Sequence, residues 1–315
     1  MSSLFDSLRH TYVQMRPPVK LILLVLLVLV MALFGTLAAY LVSVPLYHID
    51  MKTLESFLNN PNPENIGVIK LFQIFQSVFL FVIPALIAAW LFSTDMRGYL
   101  KTGGGTSGIT LILVILVLFA AIPAMNMLTW INSRLDLPAW LDAVEQMMIT
   151  SEENAEKLTK AFLDGRSNAD LAVNLFMIAV LPAIGEEFLF RGVVQRIFTD
   201  WTKNSHWAIA ITAFIFSFIH FQFFGFLPRF LLGLLFGYLM LWSASIWVPV
   251  AAHFVNNGMA VVYYHFANEP YGETALDSWG TSGQQHYYLY ISVFLTCLLL
   301  GMIFLHEKER VRLRG

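Results

Sequence analysis

Four ionisable residues, Glu186, Glu187, His220 and His253, lie well inside long apolar runs of this chain, and no other Asp, Glu, Lys, Arg or His does. Charges held in hydrocarbon are costly, rare and usually functional. A carboxylate drawn out of water is a stronger base and can take a proton from a water molecule. An imidazole or carboxamide can donate to a developing oxyanion in a low-dielectric site. Glu186 as base, with His220 or His253 and Asn257 as oxyanion donors, is therefore a chemically complete set for peptide hydrolysis without metal. Two imidazoles and a carboxylate are equally enough protein ligands for a catalytic zinc with one open water position, with His220 and His253 as the metal ligands. No H-E-x-x-H helix is present, so such ligands come from separate segments, and the two chemistries stay open.

The local spacings suit helices. Glu187 and Arg191 are four residues apart with the acid first, the favourable order for an ion pair, and Arg191 is placed to neutralise Glu187 and reach the membrane interface. Glu186 is rotated about 100° from Glu187 on a helix, so one carboxylate is free to face a cavity while the other pairs. His253 and Asn257 share a helix face, as do Phe216 and His220.

The elements that must position these groups are membrane helices. The chain has 315 residues, of which 57% are hydrophobic and 13% charged, whereas soluble domains are about 45–50% apolar and about 25% charged. A bilayer core of about 30 Å needs about 20 apolar residues in a helix. Eight such stretches are present, at 21–46, 71–92, 109–130, 171–190, 207–227, 230–245, 246–264 and 287–305. The expected fold is an all-α polytopic membrane protein of about eight transmembrane helices, with the site formed by helices four, five and seven. The sixth stretch is short, and the sequence around Gly225 and Pro228 allows a break there. The first stretch exceeds a signal-peptide core and reads as an uncleaved span. The lone cysteine, Cys297, excludes an intrachain disulfide.

Twelve of the nineteen Lys and Arg residues fall on the side of the two termini: Arg9, Arg16 and Lys20 in the N-terminal arm, Lys308, Arg310, Arg312 and Arg314 in the tail, and Arg97, Lys101, Arg191, Arg196 and Lys203 in loops. The positive-inside rule then places both termini in the cytoplasm, in a cell inner or plasma membrane. The long segment 131–169 is acidic and on the other side. Its apolar residues, including Trp140, Met147, Leu158 and Phe162, have helical spacing, which predicts an amphipathic helix on the outer interface; Thr150 to Glu153 resembles a capping box. The near-neutral charge gives no sign of nucleic-acid binding. By composition and motif the chain divides into an N-terminal membrane region (1–170), a core carrying the polar residues (171–265), and a last span with a basic tail (266–315).

Three motifs carry a family resemblance. Glu186-Glu187-Phe188-Leu189-Phe190-Arg191 resembles the E-E-x-x-x-R motif of the CAAX-protease and bacteriocin-processing family, the type II CAAX prenyl endopeptidases. Phe216 to His220 resembles its F-x-x-x-H motif, and His253 to Asn257 its H-x-x-x-N motif. The resemblance covers roughly residues 171–264. It implies an intramembrane endopeptidase, commonly labelled a metalloprotease, with a site open to the cytosol and a membrane-associated, in some cases lipidated, protein or peptide as substrate. It implies Glu186 as the water-activating residue, Glu187 and Arg191 as a supporting pair, and His220, His253 and Asn257 as the rest of the site. Two other functions use similar residues: a proton-coupled transporter, against which stands the lack of an inverted repeat, and a non-catalytic scaffold or immunity protein, against which stands the intact motif set.

Overall fold

The computed structural model describes residues 10–59, 65–134, 137–267, 275–281 and 286–313. All regular structure among them is helical. The long helices are α1 (Pro17–Tyr47), α2 (Ile66–Phe92), α3 (Gly108–Asn132), α4 (Asp142–Leu163), α5 (Asn168–Thr202), α6 (Ser205–Phe218), α7 (Phe226–Ser243), α8 (Trp247–Phe266) and α9 (His286–Arg312). Six of them, α1, α2, α3, α5, α7 and α9, are long and apolar enough to cross a membrane. α6 has 14 residues, about 21 Å of helix, short of a full crossing. α8 has 20 residues, and its apolar run is broken by His253, Asn256 and Asn257. The protein is thus an all-α integral membrane protein.

Contacts between the connections define two ends of the bundle. At one end, the Lys101 carbonyl accepts from the Ile246 N–H, Ser107 meets His306 at 2.9 Å, and Arg310 donates to the Gly105 carbonyl. Lys20 lies over the Phe92 ring at the same end. The start of α1 and the end of α9 therefore share this end with the connections 93–107, 203–204 and 244–246. At the other end, Arg166 donates to the carbonyls of Tyr264, His265 and Ala267, and the Phe224 N–H donates to Glu152 on α4.

Two helices are longer than their apolar runs suggest. α2 and α5 each contain a proline, Pro84 and Pro182, preceded by a wide π turn at Val78–Val82 and Leu175–Val180. Proline lacks an N–H and its ring crowds the preceding turn; widening that turn lets each helix run on. α5 does not stop at 190 but continues to Thr202, 35 residues in all from Asn168. The fifth expected span is shorter than its apolar run: α6 ends at Phe218, residues 219–225 form a link, and the next helix begins at Phe226 rather than 230. α4 forms as one continuous helix, and Thr150, expected in a capping box, sits mid-helix and bonds back to the Gln146 carbonyl.

The largest apolar core joins α1, α2, α5, α6, α7 and α8 through Leu24, Ala88, Phe188, Phe216, Met240 and Val250 among others. Small residues let the helices meet closely. A Cβ on Gly233 would lie 2.9 Å from Ala213, and one on Gly237 would lie 2.7 Å from Ile209. This Gly-x-x-x-Gly face packs α7 against α6, the close-approach arrangement of membrane helices.

Candidate active site

The Glu186-Glu187 pair lies in α5 directly before a third π turn, Phe188–Val194. π turns inside α-helices are rare and frequent at functional sites. The two carboxylates point apart, as their spacing requires. The Glu187 side chain is fully buried, and its Oε1 accepts from Arg191 Nη1 at 3.0 Å and from His253 Nδ1 at 2.8 Å. Glu186 lines a cavity, with its Oε2 3.9 Å from His253 Nε2. His253 thus stands between the two carboxylates, one on each ring nitrogen. Because a carboxylate only accepts, the proton on Nδ1 is fixed by Glu187.

Arg191 does not reach an interface. Its side chain is fully buried, bonded to Glu187 and to the Gly233 carbonyl at 3.2 Å, with the guanidinium 4.6 Å from the Phe216 ring and 5.3 Å from the Phe236 ring. One turn further on, Gln195 donates to the Gly237 carbonyl at 3.3 Å. Two polar rungs of α5 therefore grip the two glycine carbonyls of α7, where missing side chains give access. An unpaired charge buried here would cost several kcal/mol, about 3–5 on loss of one partner; the ring faces supply cation–π stabilisation in addition.

The same aromatic pair orients the imidazoles. His253 stacks on Phe236 at 5.1 Å between centroids and meets Phe216 edge-on at 6.2 Å; His220 meets Phe216 edge-on at 5.0 Å. His220 follows the last turn of α6 and its Nδ1 lies 2.6 Å from the Phe216 carbonyl. A carbonyl only accepts, so Nδ1 carries the proton and Nε2 of the neutral ring is an acceptor. The next residue, Phe221, has φ 51°, a left-handed conformation costly for an aromatic residue. Asn257 donates to the Ile178 carbonyl at 3.0 Å and accepts from Asn256, so it ties α8 to the wide turn of α5.

Glu186, His220, His253, Asn256, Asn257 and Arg229 line one cavity of about 560 Å³. The motif residues of the three helices therefore converge, Glu187 and Arg191 behind the wall and the others on it. Two further polar residues line it. Arg229 is in the first turn of α7 and bonds Gln222. Asn256 faces the chamber beside Asn257. A basic residue one helical turn past Gly225 was the available signal for the first.

Among the described residues no three His, Cys, Asp or Glu side chains gather as a metal-binding group. His253 and His220, each bonded through Nδ1, keep Nε2 as a free nitrogen, the atom that a metal ligand would use.

The cavity opens away from the termini. Its far wall is α4, through Ala155, Leu158, Thr159 and Phe162, and its other rim is the start of α7 at Gly225 to Arg229. Toward the termini its lining stops at Glu186 on α5, Phe236 on α7 and His253 on α8, and beyond lies packed core that includes Phe188, Ile246 and Leu100. The sequence expectations of cytoplasmic termini and of a site open to the cytosol are therefore incompatible.

Fold and site together define a polytopic membrane protein with a buried carboxylate–imidazole centre in a chamber enclosed by its helices. The family described as type II CAAX prenyl endopeptidase Rce1-like matches residues 168–259, which include all of α5, α6 and α7 and α8 as far as Met259. The resemblance carried by the three motifs holds over that segment, less than a third of the chain. No curated protein and no solved structure matches the chain.

Proposed function

We propose that this chain is an intramembrane endopeptidase that hydrolyses a peptide bond of a membrane-associated substrate, with Glu186 activating the water. The observation that carries this reading is the sharing of His253 between a paired carboxylate and a cavity-facing one. Glu187, neutralised by Arg191, holds the Nδ1 proton and so turns Nε2 toward Glu186. The 3.9 Å between Nε2 and Glu186 Oε2 is too long for a direct hydrogen bond and suits one bridging water.

In the proposed reaction the bridging water gives a proton to Glu186 as its oxygen attacks the scissile carbonyl, and the same proton passes to the leaving amine. The carbon–nitrogen bond breaks, and the carboxylate is restored. A neutral imidazole whose proton is held at Nδ1 has no Nε2–H to give the oxyanion. The proposed donors are then Arg229 and the Asn256 amide on the chamber wall, in place of the His220 or His253 with Asn257 expected from sequence. Asn257 positions α8 against α5. The ring of His220 borders the chamber as an acceptor. This scheme routes no step through a metal.

The test is cleavage of a panel of fluorogenic membrane peptides by purified wild type and Glu186→Ala, each with and without a zinc chelator. Cleavage by the wild type alone, unaffected by chelator, supports the whole scheme. Equal cleavage by both proteins removes Glu186 as the base, and abolition by chelator removes the metal-free step.

A further inference from the structure

The direction in which the cavity opens bears on where substrate comes from. The start of α1 and the end of α9 lie at one end of the bundle, and the chamber holding Glu186 does not extend to that end: its lining stops at Glu186 on α5, Phe236 on α7 and His253 on α8. It is bordered instead by α4 and by the 219–229 stretch, at the opposite end. Charge separates the same two ends. Arg191, counted with the loops of the terminal side, is buried within α5. Without it, among the described side chains nine Lys and Arg and four Asp and Glu belong to the end of the termini, against seven and nine at the cavity end. The terminal end is basic and the cavity end acidic. Lys and Arg are retained on the cytoplasmic side of membrane helices, and the negative cytoplasmic leaflet attracts basic segments.

Resting on the endopeptidase reading above, we infer that the active-site chamber faces the non-cytoplasmic side of the membrane, so that the substrate is a segment of a membrane-anchored polypeptide exposed on that side rather than a chain end lipidated in the cytosol. α4 carries Ala155, Leu158, Thr159 and Phe162 across the mouth, so the scissile segment enters beside this helix. From there it descends past Arg229 and His220 to Glu186. The peptide passes from the acidic end into a chamber whose own fixed charges are Arg229 and Glu186, without crossing the basic end of the bundle.

The experiment uses the full chain in native membranes. In a Cys297→Ser background, single cysteines replace Met147, exposed on α4, and Val311, exposed near the end of α9. Neither residue belongs to the site. A membrane-impermeant maleimide should label Met147→Cys in intact cells and Val311→Cys only after permeabilisation. The reverse pattern, or labelling of both in intact cells, overturns the assignment. Sealed vesicles of each orientation are then given the fluorogenic membrane peptides. Cleavage is expected only when peptide is added on the side that labels Met147→Cys, and cleavage only from the other side overturns the inference. Protein inactive toward every peptide in detergent as well as in vesicles counts against the endopeptidase reading, and the labelling pattern still decides sidedness.

Discussion

Two glutamates of this protein are wholly buried beside an arginine of the next helical turn, and only one of them belongs to the candidate site. Glu187 pairs with Arg191 four residues on, and Glu307 with Arg310 three residues on, each at 3.0 Å. Around Glu307 every partner ties α9 to α3 and the loop before it: Thr110 donates to the carboxylate, Arg310 reaches the Gly105 carbonyl, and the neighbouring His306 meets Ser107. Around Glu187 the third partner is His253, whose other nitrogen faces a second carboxylate on a chamber wall. A buried Glu–Arg pair is thus a clamp in both regions. What distinguishes a site from a clamp is the adjoining carboxylate, left without an arginine of its own and facing open space.

The sharpest way to break this comparison is to remove the second carboxylate. Glu186→Gln keeps the shape of the wall and removes the base. Cleavage should fall by about 10²–10⁴-fold, the usual contribution of general-base catalysis, with an unchanged thermal midpoint in detergent. Glu307→Gln should leave cleavage per folded molecule unchanged. A loss of activity from Glu307→Gln as large as from Glu186→Gln would erase the distinction between the regions.

The clamps themselves should differ in strength because they differ in burial. Arg191→Met leaves Glu187 without its cation and removes the bond to Gly233. A loss of about 3–5 kcal/mol is expected, as for other broken buried pairs. The Arg310 side chain keeps 14% of its surface exposed, at the bundle end. Arg310→Met should therefore cost clearly less. Thermal or denaturant unfolding of both variants in the same detergent checks the order, and the reverse order would show that the pair behind the site is not the tighter clamp.

Smaller effects are expected from the glycines beside each region. Gly233→Ala places a methyl 2.9 Å from Ala213 on the neighbouring helix and should cost about 1–3 kcal/mol through overpacking. It should also weaken cleavage, since the Gly233 carbonyl anchors Arg191. Gly301 on α9 has open space around it, and Gly301→Ala should be neutral or slightly stabilising. Unfolding midpoints for the two variants, measured together, test whether close helix approach is confined to the site side.

Much of this could be read from sequence. The apolar runs gave the all-α membrane fold because hydrophobicity over about 20 residues is a local signal. The polar residues inside them gave the site because few functions tolerate such groups there. Helix ends were less legible. Arg191 read as a loop charge at the end of a span, because nothing local shows that a glycine carbonyl on α7 awaits it. The Gly233-x-x-x-Gly237 spacing was a readable sign of that close approach. The place of Arg229 on the cavity wall was not legible, because it depends on the chain turning back after His220. The direction of the cavity mouth depends on where α4 docks, a long-range contact that the spacing of its own residues does not reveal.

α4 supplies the smallest of the expected effects. Glu152 is half-buried on α4 and accepts from the Phe224 N–H at 3.2 Å, so it fastens this helix to the 219–225 link. Burial raises its pKa above the ordinary carboxylate value, opposed by that hydrogen bond and by the charge of Arg229. A carboxyl whose pKa is raised by docking favours the docked state most when protonated. Its contribution is therefore fully present below the free-carboxylate range and is lost as pH rises through the raised value. Glu152→Gln keeps an acceptor for the Phe224 N–H and cannot titrate. The thermal midpoint of the wild type should fall relative to Glu152→Gln across this mildly acidic window, by a shift equivalent to less than about 1 kcal/mol after allowance for solvent screening. Parallel curves for the two proteins would mean that Glu152 is as well solvated when docked as when free, and that α4 rests on the cavity mouth without this anchor.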